Sequence, residues 1–565
     1  MTIELSLTSI PTSITQSQWD VFWNDSLRMF EKFPVSLVRL IDRQTNYGVI
    51  RLLSRNLVDS DSNGEYFTIS GDASSLTTGE DLQIYRDFEY YRKEWNNSDT
   101  NLNDPLYCTS TDYDPEKQDK YPPIHGVKIF HIITHGHPYH YAVISIIAMG
   151  EYLLGGKCVG WEKLRHKESI AARHWLCDIF ETDIPLPICL DASRLWNRIE
   201  GICGDIKLTR KRFKERFIGT RAKEVHRLLA ESREITMREL AEELLEADNI
   251  NDPFAISVSE SFLEATDDLD MYLDLIDFRN SLAKARNNDD SSGSQYTIIT
   301  LESVLQMLIM HHVTISKWQC EELHDFKRWM NMEGDSYFSA NTSVIKALVP
   351  RKFDFYCSKT DLLETFIHRP SADPKSLKEA FESAFLEVEE QIERITKAVR
   401  KIKDEADRKY PPEKGGIDIK PTDNHPFTYV VQSEARVQSQ LLEPMGNNDV
   451  INLAKKTCSF IANIRKYNFD VNIDEMLDDT SGELQKVAIA NLIKDYALPM
   501  LEEVWDQLIN TKDVKLLNFF VILITVSTSK EYNRLLPIAV QLVNQPNFWE
   551  LFKKTILLAS VKKSK

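Results

Sequence analysis

Residues 410–426 interrupt two strongly helical regions of this 565-residue chain. The segment reads Tyr-Pro-Pro-Glu-Lys-Gly-Gly-Ile-Asp-Ile-Lys-Pro-Thr-Asp-Asn-His-Pro, with four prolines and a pair of glycines. Proline lacks a backbone N–H and fixes φ, and glycine loosens the chain, so a helix cannot continue through this segment. The composition predicts an exposed flexible linker whose cleavage or hinge region is defined by Tyr410, Gly415, Gly416 and Pro426.

The linker divides a fold that is predicted to be mainly α, with an N-terminal α+β region and a separate all-α C-terminal module. At about 150 residues per domain, the length allows roughly three or four domains. The predicted order is an α+β region at 1–190, a helical body at 191–408, the linker at 409–426 and the C-terminal module at 427–565.

Short runs rich in β-branched and aromatic residues predict strands in the first 135 residues. Turn signals such as Asn46-Tyr47-Gly48 and Ser62-Asn63-Gly64 separate them. The predicted strands lie at 35–41, 47–53, 65–70, 82–86 and 127–134. A nearly all-apolar helix follows at 141–154, and the hydrophobic period stays helical from there to the linker.

The longest predicted helix runs from residue 376 to about residue 408. Its apolar residues alternate at spacings of three and four, which is typical of a helix that packs along one stripe. That stripe fits either packing within its own domain or a partner helix, and consists of Phe381, Phe385, Val388, Ile392, Ile395, Val399 and Ile402.

Charge is distributed unevenly about the linker. The formal net charge is -18, and residues 427–565 contain 16 Lys and Arg and 16 Asp and Glu, so the excess negative charge precedes the C-terminal module. An acidic body repels phosphate backbones, so nucleic acid is not expected as the main ligand. No signal peptide, membrane span or Cys-x-x-Cys pair is recognised, and we expect a cytoplasmic protein with reduced thiols and no membrane partner.

Five of the thirteen histidines fall between residues 125 and 140. A hydrophobic strand ending in Thr134 is followed by His135-Gly-His137-Pro-Tyr139-His140. This pattern resembles the His-x-His-x-Asp-His loop of the metallo-β-lactamase-fold hydrolases. The resemblance implies that His135, His137 and His140 bind a metal such as zinc, although Tyr139 stands where the family has its aspartate.

Three readings of this histidine cluster stay open. Three neutral imidazoles would leave a fourth zinc position for an activated water. Alternatively, the histidines line a strand-to-helix corner and bond to backbone or neighbouring acids. A third reading is a site for another ligand, one version of which is an anion site at the N-terminus of the following helix.

Two further patterns are weaker. The pair Glu321-x-x-His324 has the spacing of a di-iron ligand pair, but a helical bundle site needs two such pairs, so a solvated helix surface is expected. A basic run predicts a helix that pairs with the domain's own carboxylates, with a phosphate-binding stripe as the alternative. It consists of Lys207, Arg210, Lys211, Arg212, Lys214, Arg216, Arg221, Lys223 and Arg227.

Together these features predict a non-enzymatic interaction or regulatory protein, without a cofactor, in which an acidic body controls a tethered helical module. In layout, a body of about 400 residues, an exposed linker and a helical tail, the chain resembles the protein substrates of the RNA-guided protease in type III-E CRISPR systems. The resemblance implies antiviral defence by proteolysis at the linker, with a caspase-like protease and a transcription regulator as protein partners. The alternative is a metal-dependent hydrolase, or a degenerate relative, that uses the His-rich loop and zinc.

Overall fold

A computed structural model describes most of the chain as two compact units. One unit is formed by Met1–Cys189 together with Pro421–Lys565, and the other by Leu190–Lys420. Within them the structure describes residues 3–95, 104–106, 126–247, 249–289, 296–311, 359–409 and 482–528, with parts of 427–435 and 536–544.

In its described residues the first unit contains two antiparallel sheets. The smaller sheet has the order β7-β1-β8, and the larger has the order β3-β2-β5-β4 with β6 also paired to β5. The strands are β1 Glu4–Ser9, β2 Leu37–Thr45, β3 Gly48–Ser54, β4 Val58–Asp61, β5 Gly64–Asp72, β6 Thr78–Tyr85, β7 Val127–Ile133 and β8 Cys158–Glu162. Gly48 and Gly64 have φ of 102° and 122°, values that glycine adopts readily in tight hairpin turns.

Four helices accompany these sheets: α1 Gln16–Glu31, α2 Glu89–Glu94, α3 His140–Leu154 and α4 His166–Phe180. The side chain of Thr15 caps α1, and Gln18 completes the capping box. The face of α1 that carries Trp19 and Phe22 is fully buried. Helix α3 is buried over nearly its whole circumference, which explains its continuous apolar sequence.

The regular elements of the second unit are all helices in its described residues. Its helices are α5 Ala192–Cys203, α6 Ile206–Arg216, α7 Arg221–Glu231, α8 Arg233–Leu245, α9 Pro253–Thr266, α10 Leu269–Asp289, α11 Leu301–His311, α12 Lys359–Ile367 and α13 Pro374–Lys409. Asp191, Asp205 and Asp252 each accept a hydrogen bond from a first-turn amide, so three of these helices begin at an aspartate cap.

Helix α13 confirms the long helix expected from the heptad-like stripe. Of the stripe, Val388 is buried in the core of the second unit, and Phe381 and Phe385 are partly buried against that core. Ser376 donates a hydrogen bond of 3.0 Å to Glu302 at the start of α11. The first half of the stripe therefore packs within its own unit.

The C-terminal part adds α14 Glu483–Asp495, α15 Glu502–Asn510 and α16 Val514–Thr528 to the first unit. These helices share one hydrophobic core with β2 and β3, which includes Leu52 and Leu53 from the hairpin and Trp505 and Phe520 from the helices. The predicted order of domains along the chain did not indicate this shared core. A composition break gives no information about which of the flanking elements pack together.

The predicted class is confirmed: the fold is mainly α, with an N-terminal α+β region and an all-α C-terminal part. The five predicted strands correspond to β2, β3, β5, β6 and β7. Strands β1, β4 and β8 and helices α1 and α2 were missed. Strand β8 also shows that the expectation of a helical period from the apolar helix to the linker was wrong, because a short strand that pairs with a distant one leaves little periodic signal. Among the described helices, none combines the length and apolar character that a bilayer crossing requires.

Candidate functional site

The strand-to-helix corner between β7 and α3 holds the histidines that the sequence analysis selected. Thr134 follows the strand and its amide donates to the carbonyl of Ile3 at 3.0 Å. His135 and Gly136 then adopt φ of 54° and 77°, and the His137 amide donates to the Thr134 carbonyl at 3.0 Å, which closes a tight turn. The corner is therefore a sharp turn before α3, as predicted from the sequence.

His140 is buried, and both of its ring nitrogens are engaged. Nδ1 lies 2.7 Å from the Thr134 hydroxyl, and Nε2 lies 3.1 Å from a carboxylate oxygen of Glu168 on α4. Arg165 also bonds Glu168 at 2.9 Å. Burial by itself would raise the pKa of the Glu168 carboxyl, but bonds and charge from His140 and Arg165 hold that pKa below its usual range. Both ring nitrogens of His140 therefore have partners in a buried polar chain with Thr134 and Glu168.

His135 and His137 lie nearer the surface, and their ring centroids are 6.0 Å apart. Among the residues that the structure describes, His135, His137 and His140 do not form a group of three closely spaced ligand atoms. Tyr139, at the position of the family's aspartate, is buried and donates its hydroxyl to the Glu80 carbonyl at 3.2 Å. The contacts of His140 and Tyr139 thus agree with the corner reading, while metal binding by the three histidines stays a prediction.

An anion site at this corner would need free backbone amides in the first turn of α3. The first three amides instead donate to carbonyls of the preceding turn at 2.8 to 3.2 Å: His140 to His137, Tyr141 to Pro138 and Ala142 to Tyr139. A helix N-terminus binds an anion through amides that point at the ligand. Because these three amides already close a tight turn, they do not point at an external anion, and the anion site stays a prediction.

In the described part of the chain, one group of three possible metal ligands lies outside the strand-to-helix corner. It consists of Glu4, His131 and Glu162, whose ligand atoms all lie within 4.8 Å of one another. The sequence analysis noted His131 within the cluster but missed both glutamates. They are 127 and 31 residues away from it along the chain, and only the pairing of β1 with β7 and β8 brings them together.

A second candidate surface is the β2–β3 hairpin, which binds the C-terminal helices. The Leu53 amide donates to the Met500 carbonyl at 2.8 Å, and Leu53 forms a parallel bridge with Leu501. Ser54 donates to Glu502 at 2.8 Å, and the rings of Tyr47 and Trp505 meet edge to face at 6.1 Å. Backbone, polar and aromatic contacts thus join elements about 450 residues apart.

Charge complementarity accompanies those contacts. Arg43 lies 2.9 Å from Asp506 and 3.3 Å from Glu502, and Arg55 lies 3.0 Å from Glu503. The hairpin therefore presents basic side chains to the acidic first turns of α15. Such partly exposed pairs contribute little free energy each, but they fix the orientation of the two surfaces.

The chain is also anchored just after the predicted linker. Phe427 is fully buried, stacks on Trp175 at 4.6 Å and meets Phe33 and Tyr141 edge to face. Gln432 donates to the Pro34 carbonyl at 3.3 Å. The linker residues 410–426 themselves, including Tyr410, Gly415, Gly416 and Pro426, lie outside the described residues.

The basic run pairs with carboxylates of its own unit, as predicted. Arg210 and Lys214 both contact Glu239, at 2.9 and 2.7 Å, and Arg212 contacts Glu215 at 2.9 Å. Arg210 and Arg212 are buried rather than solvated. The contacts of Arg210 and Lys214 with Glu239 join α6 to α8, whereas the Arg212–Glu215 pair lies within α6. Glu321 and His324 lie outside the described residues.

Comparisons with known proteins identify no relative: no family model, no curated protein and no solved structure matches this chain.

Proposed function

We propose that this chain is a non-enzymatic regulatory protein in which the N-terminal α+β part holds the C-terminal helices until the connection through residues 410–426 is altered. The observation that carries this proposal is the common core of the β2–β3 hairpin and helices α14 to α16. A C-terminal part held in this way cannot offer the same apolar face to another protein.

The linker has a physical role in this proposal. While the chain is continuous, the C-terminal helices meet the hairpin at an effective concentration in the millimolar range, as is usual for short flexible connections. After a cut, the same contacts become a bimolecular association that weakens on dilution. Phe427, immediately beyond the linker, stacks on Trp175 and gives the C-terminal part a second contact with the N-terminal part.

The layout resemblance supplies the expected partners. A caspase-like protease would act within 410–426, and a transcription regulator would bind the module at 427–565. Limited proteolysis of the full chain should then produce one early cut between about 405 and 430 and two stable fragments. A segment that resists proteases would contradict an accessible linker.

The main test introduces a recognition site for a sequence-specific protease between residues 411 and 425 of the full chain. The chain is cut and diluted, and size-exclusion chromatography follows the two fragments. We expect them to separate on dilution, and to do so at higher concentration when Arg43 and Arg55 are both replaced by glutamate. Their partners Glu502, Glu503 and Asp506 would then face like charges.

Arg51→Glu is the matched control, because Arg51 lies on the same hairpin but pairs with Asp42 rather than with the C-terminal helices. This variant should behave as the unaltered chain. If the cut fragments stay together at nanomolar concentration, with the Leu53 amide as protected from hydrogen exchange as before, the linker does not control the C-terminal helices and the proposal fails.

The alternative hydrolase would need a metal at His135, His137 and His140. The described contacts of His140 engage both of its ring nitrogens, and no described contact favours that alternative.

A further inference from the structure

The three-stranded sheet of the first unit brings three possible metal ligands to one place. Glu4 begins the central strand β1, His131 lies on the neighbouring strand β7, and Glu162 ends β8 on the other side. Each offers one ligand atom, and the three atoms lie within 4.8 Å of one another. In tetrahedral zinc sites, bonds of about 2.1 Å place ligand atoms about 3.4 Å apart, so small side-chain rotations would close this group around an ion.

Strand register explains why Glu4 and His131 share a face. His131 is paired with Ser6, and Glu4 lies two residues before Ser6 on the same strand. Because side chains alternate along a strand, Glu4, Ser6 and His131 point to one side of the sheet. Leu5 and Leu7 point to the other side and are completely buried.

Glu162 reaches this face by leaving the regular strand conformation. Its register partner is Leu5, so regular alternation would direct its side chain toward the core. Instead, Glu162 has φ of 83°, and its carboxylate lies 3.1 Å from Nε2 of His131. A positive φ is uncommon for a residue with a long side chain, and here it turns the glutamate toward the histidine.

The contact between Glu162 and His131 is close without being a hydrogen bond. Oε2 of Glu162 is buried and has no hydrogen-bond partner among the described residues, although Nε2 of His131 is only 3.1 Å away. The two atoms are near each other, but the imidazole N–H is not aligned with the oxygen. An ion bound to both atoms would satisfy the buried oxygen and a lone pair of the imidazole together.

Two lysines lie beside the carboxylates. Lys163 is 3.7 Å from Glu4, and Lys128 is 4.0 Å from Glu162. Both lysine side chains are more than half exposed, so they can move into solvent when a cation binds. They would compete with a metal, not block it.

We propose that Glu4, His131 and Glu162 form a binding site for a divalent first-row transition metal of the zinc type. One imidazole nitrogen with two carboxylate oxygens suits such an ion better than calcium or magnesium, which prefer oxygen ligands alone. Three protein ligands leave at least one position for water or an external ligand. The bound ion also joins all three strands of the small sheet. The site is separate from the β2–β3 hairpin, so this proposal does not depend on the proposed function.

The test titrates metal-stripped full-length protein with zinc chloride by calorimetry and records the visible spectrum with cobalt(II). We expect one equivalent to bind with a dissociation constant below about 100 µM. Glu162→Gln and His131→Gln should each weaken binding by roughly 100-fold, since even loss of an outer-shell partner costs 10- to 100-fold. Circular dichroism establishes that each variant is folded.

Three further variants separate this site from the other possibilities. His137→Ala and Glu89→Gln should bind as the unaltered chain does, because His137 belongs to the corner and Glu89 pairs with Arg92 elsewhere. Lys128→Gln should tighten binding by about twofold to fivefold, the range that removal of an exposed ion pair corresponds to. A merely structural role for Glu162 would not produce tighter binding in that variant.

Two results would overturn the proposal. One is the absence of binding by the unaltered chain at 100 µM zinc or cobalt. The other is metal binding that is unchanged in Glu162→Gln and in His131→Gln. If His137→Ala then abolishes this binding, the metal binds at the strand-to-helix corner instead.

Discussion

The two compact units of this protein are assembled in different ways. In the first, β1 pairs with β7 and β8, which lie more than a hundred residues further along the chain, and Leu53 meets Leu501. In the second, α7, α8, α9 and α10 follow one another and share one core. Contacts between neighbouring helices can form early in folding, whereas distant pairings must first close long loops. We therefore expect the stability of the first unit, rather than that of the second, to depend on the continuity of the chain.

The largest expected effect comes from a matched pair of leucines. Leu508 lies in the core between the C-terminal helices and the hairpin, and Leu273 lies in the core of the second unit. Replacing either buried leucine by alanine should cost about 2–5 kcal/mol. Hydrogen exchange should show Leu508→Ala weakening the protection of the Leu53 amide and Leu273→Ala leaving it unchanged. Loss of Leu53 protection in both variants would contradict the separation of the two cores.

An asparagine in each unit gives a second matched pair. Asn544 accepts from the Leu501 amide at 2.8 Å and donates to the Pro499 carbonyl at 3.0 Å. Asn280 bonds both the amide and the carbonyl of Ile299, at 3.0 and 2.8 Å. Each side chain therefore fixes an extended segment as a strand would.

Alanine at either position leaves backbone groups without partners, which should cost about 1–3 kcal/mol in the unit concerned. Urea unfolding measures the total loss of unfolding free energy in each variant, and hydrogen exchange shows which unit has lost stability. We expect Asn544→Ala also to promote separation of the fragments after the linker is cut, and Asn280→Ala to have no such effect. If the cut fragments separated to the same extent in both variants, the expected difference between the two units would be contradicted.

A smaller effect concerns pH. In the first unit, Glu168 has a lowered pKa because bonds and charge from His140 and Arg165 outweigh the opposing effect of burial. In the second unit, burial by itself would raise the pKa of Glu239. Hydrogen bonds and charge from Lys214 and Arg210 outweigh this effect and lower that pKa. A carboxyl with a lowered folded pKa contributes stability above its ordinary value of 4.5, and this stability is lost as the pH falls through the folded pKa.

Glu168→Gln should therefore lower stability at pH 7 by about 1 kcal/mol, the difference between a charged and a neutral hydrogen bond. The deficit should disappear below the folded pKa of Glu168. The Glu239→Gln deficit should be smaller, because the side chain of Glu239 is 35% exposed and that of Glu168 is 17% exposed. Chemical unfolding between pH 3 and 7 measures both. A deficit that grows as the pH falls would contradict the assignment.

The smallest expected change is in the intact chain with Arg43→Ala. Arg43 contacts Glu502 and Asp506 while its own side chain is 35% exposed, so its removal should cost less than about 1 kcal/mol. Arg51→Ala should cost still less, because Arg51 and Asp42 are both largely exposed on the hairpin. Thermal unfolding of the two variants tests this order. A loss of several kcal/mol at Arg43 would show that charge, not the apolar core, holds the C-terminal helices.

Local sequence patterns identified many of the elements. The hairpin strands, the apolar α3 and the long α13 were found because period, turn residues and length act within a few residues of each position. The same approach failed where the chain departs from a simple pattern. Thr236 and Glu239 have the spacing of a capping box, but α8 begins at Arg233, and Thr236 lies inside it with its hydroxyl bonded to the Ser232 carbonyl.

The histidine corner shows the same division at the level of a site. The sequence placed His135, His137 and His140 at the turn between a strand and a helix. It did not indicate that Thr134 and Glu168 would engage the ring of His140. The partners of a ring nitrogen depend on α4, whose packing on α3 is a tertiary contact.

By itself, the sequence determined the mainly α class and the N-terminal α+β region, and it predicts the break at 410–426. These follow from hydrophobic period and from the backbone limits of proline and glycine, which act locally. Only the tertiary structure joined the β2–β3 hairpin to the C-terminal helices and brought Glu4 and Glu162 to His131. Both arrangements depend on pairings between residues far apart in the chain, and no local pattern records which distant surfaces bury each other's apolar area.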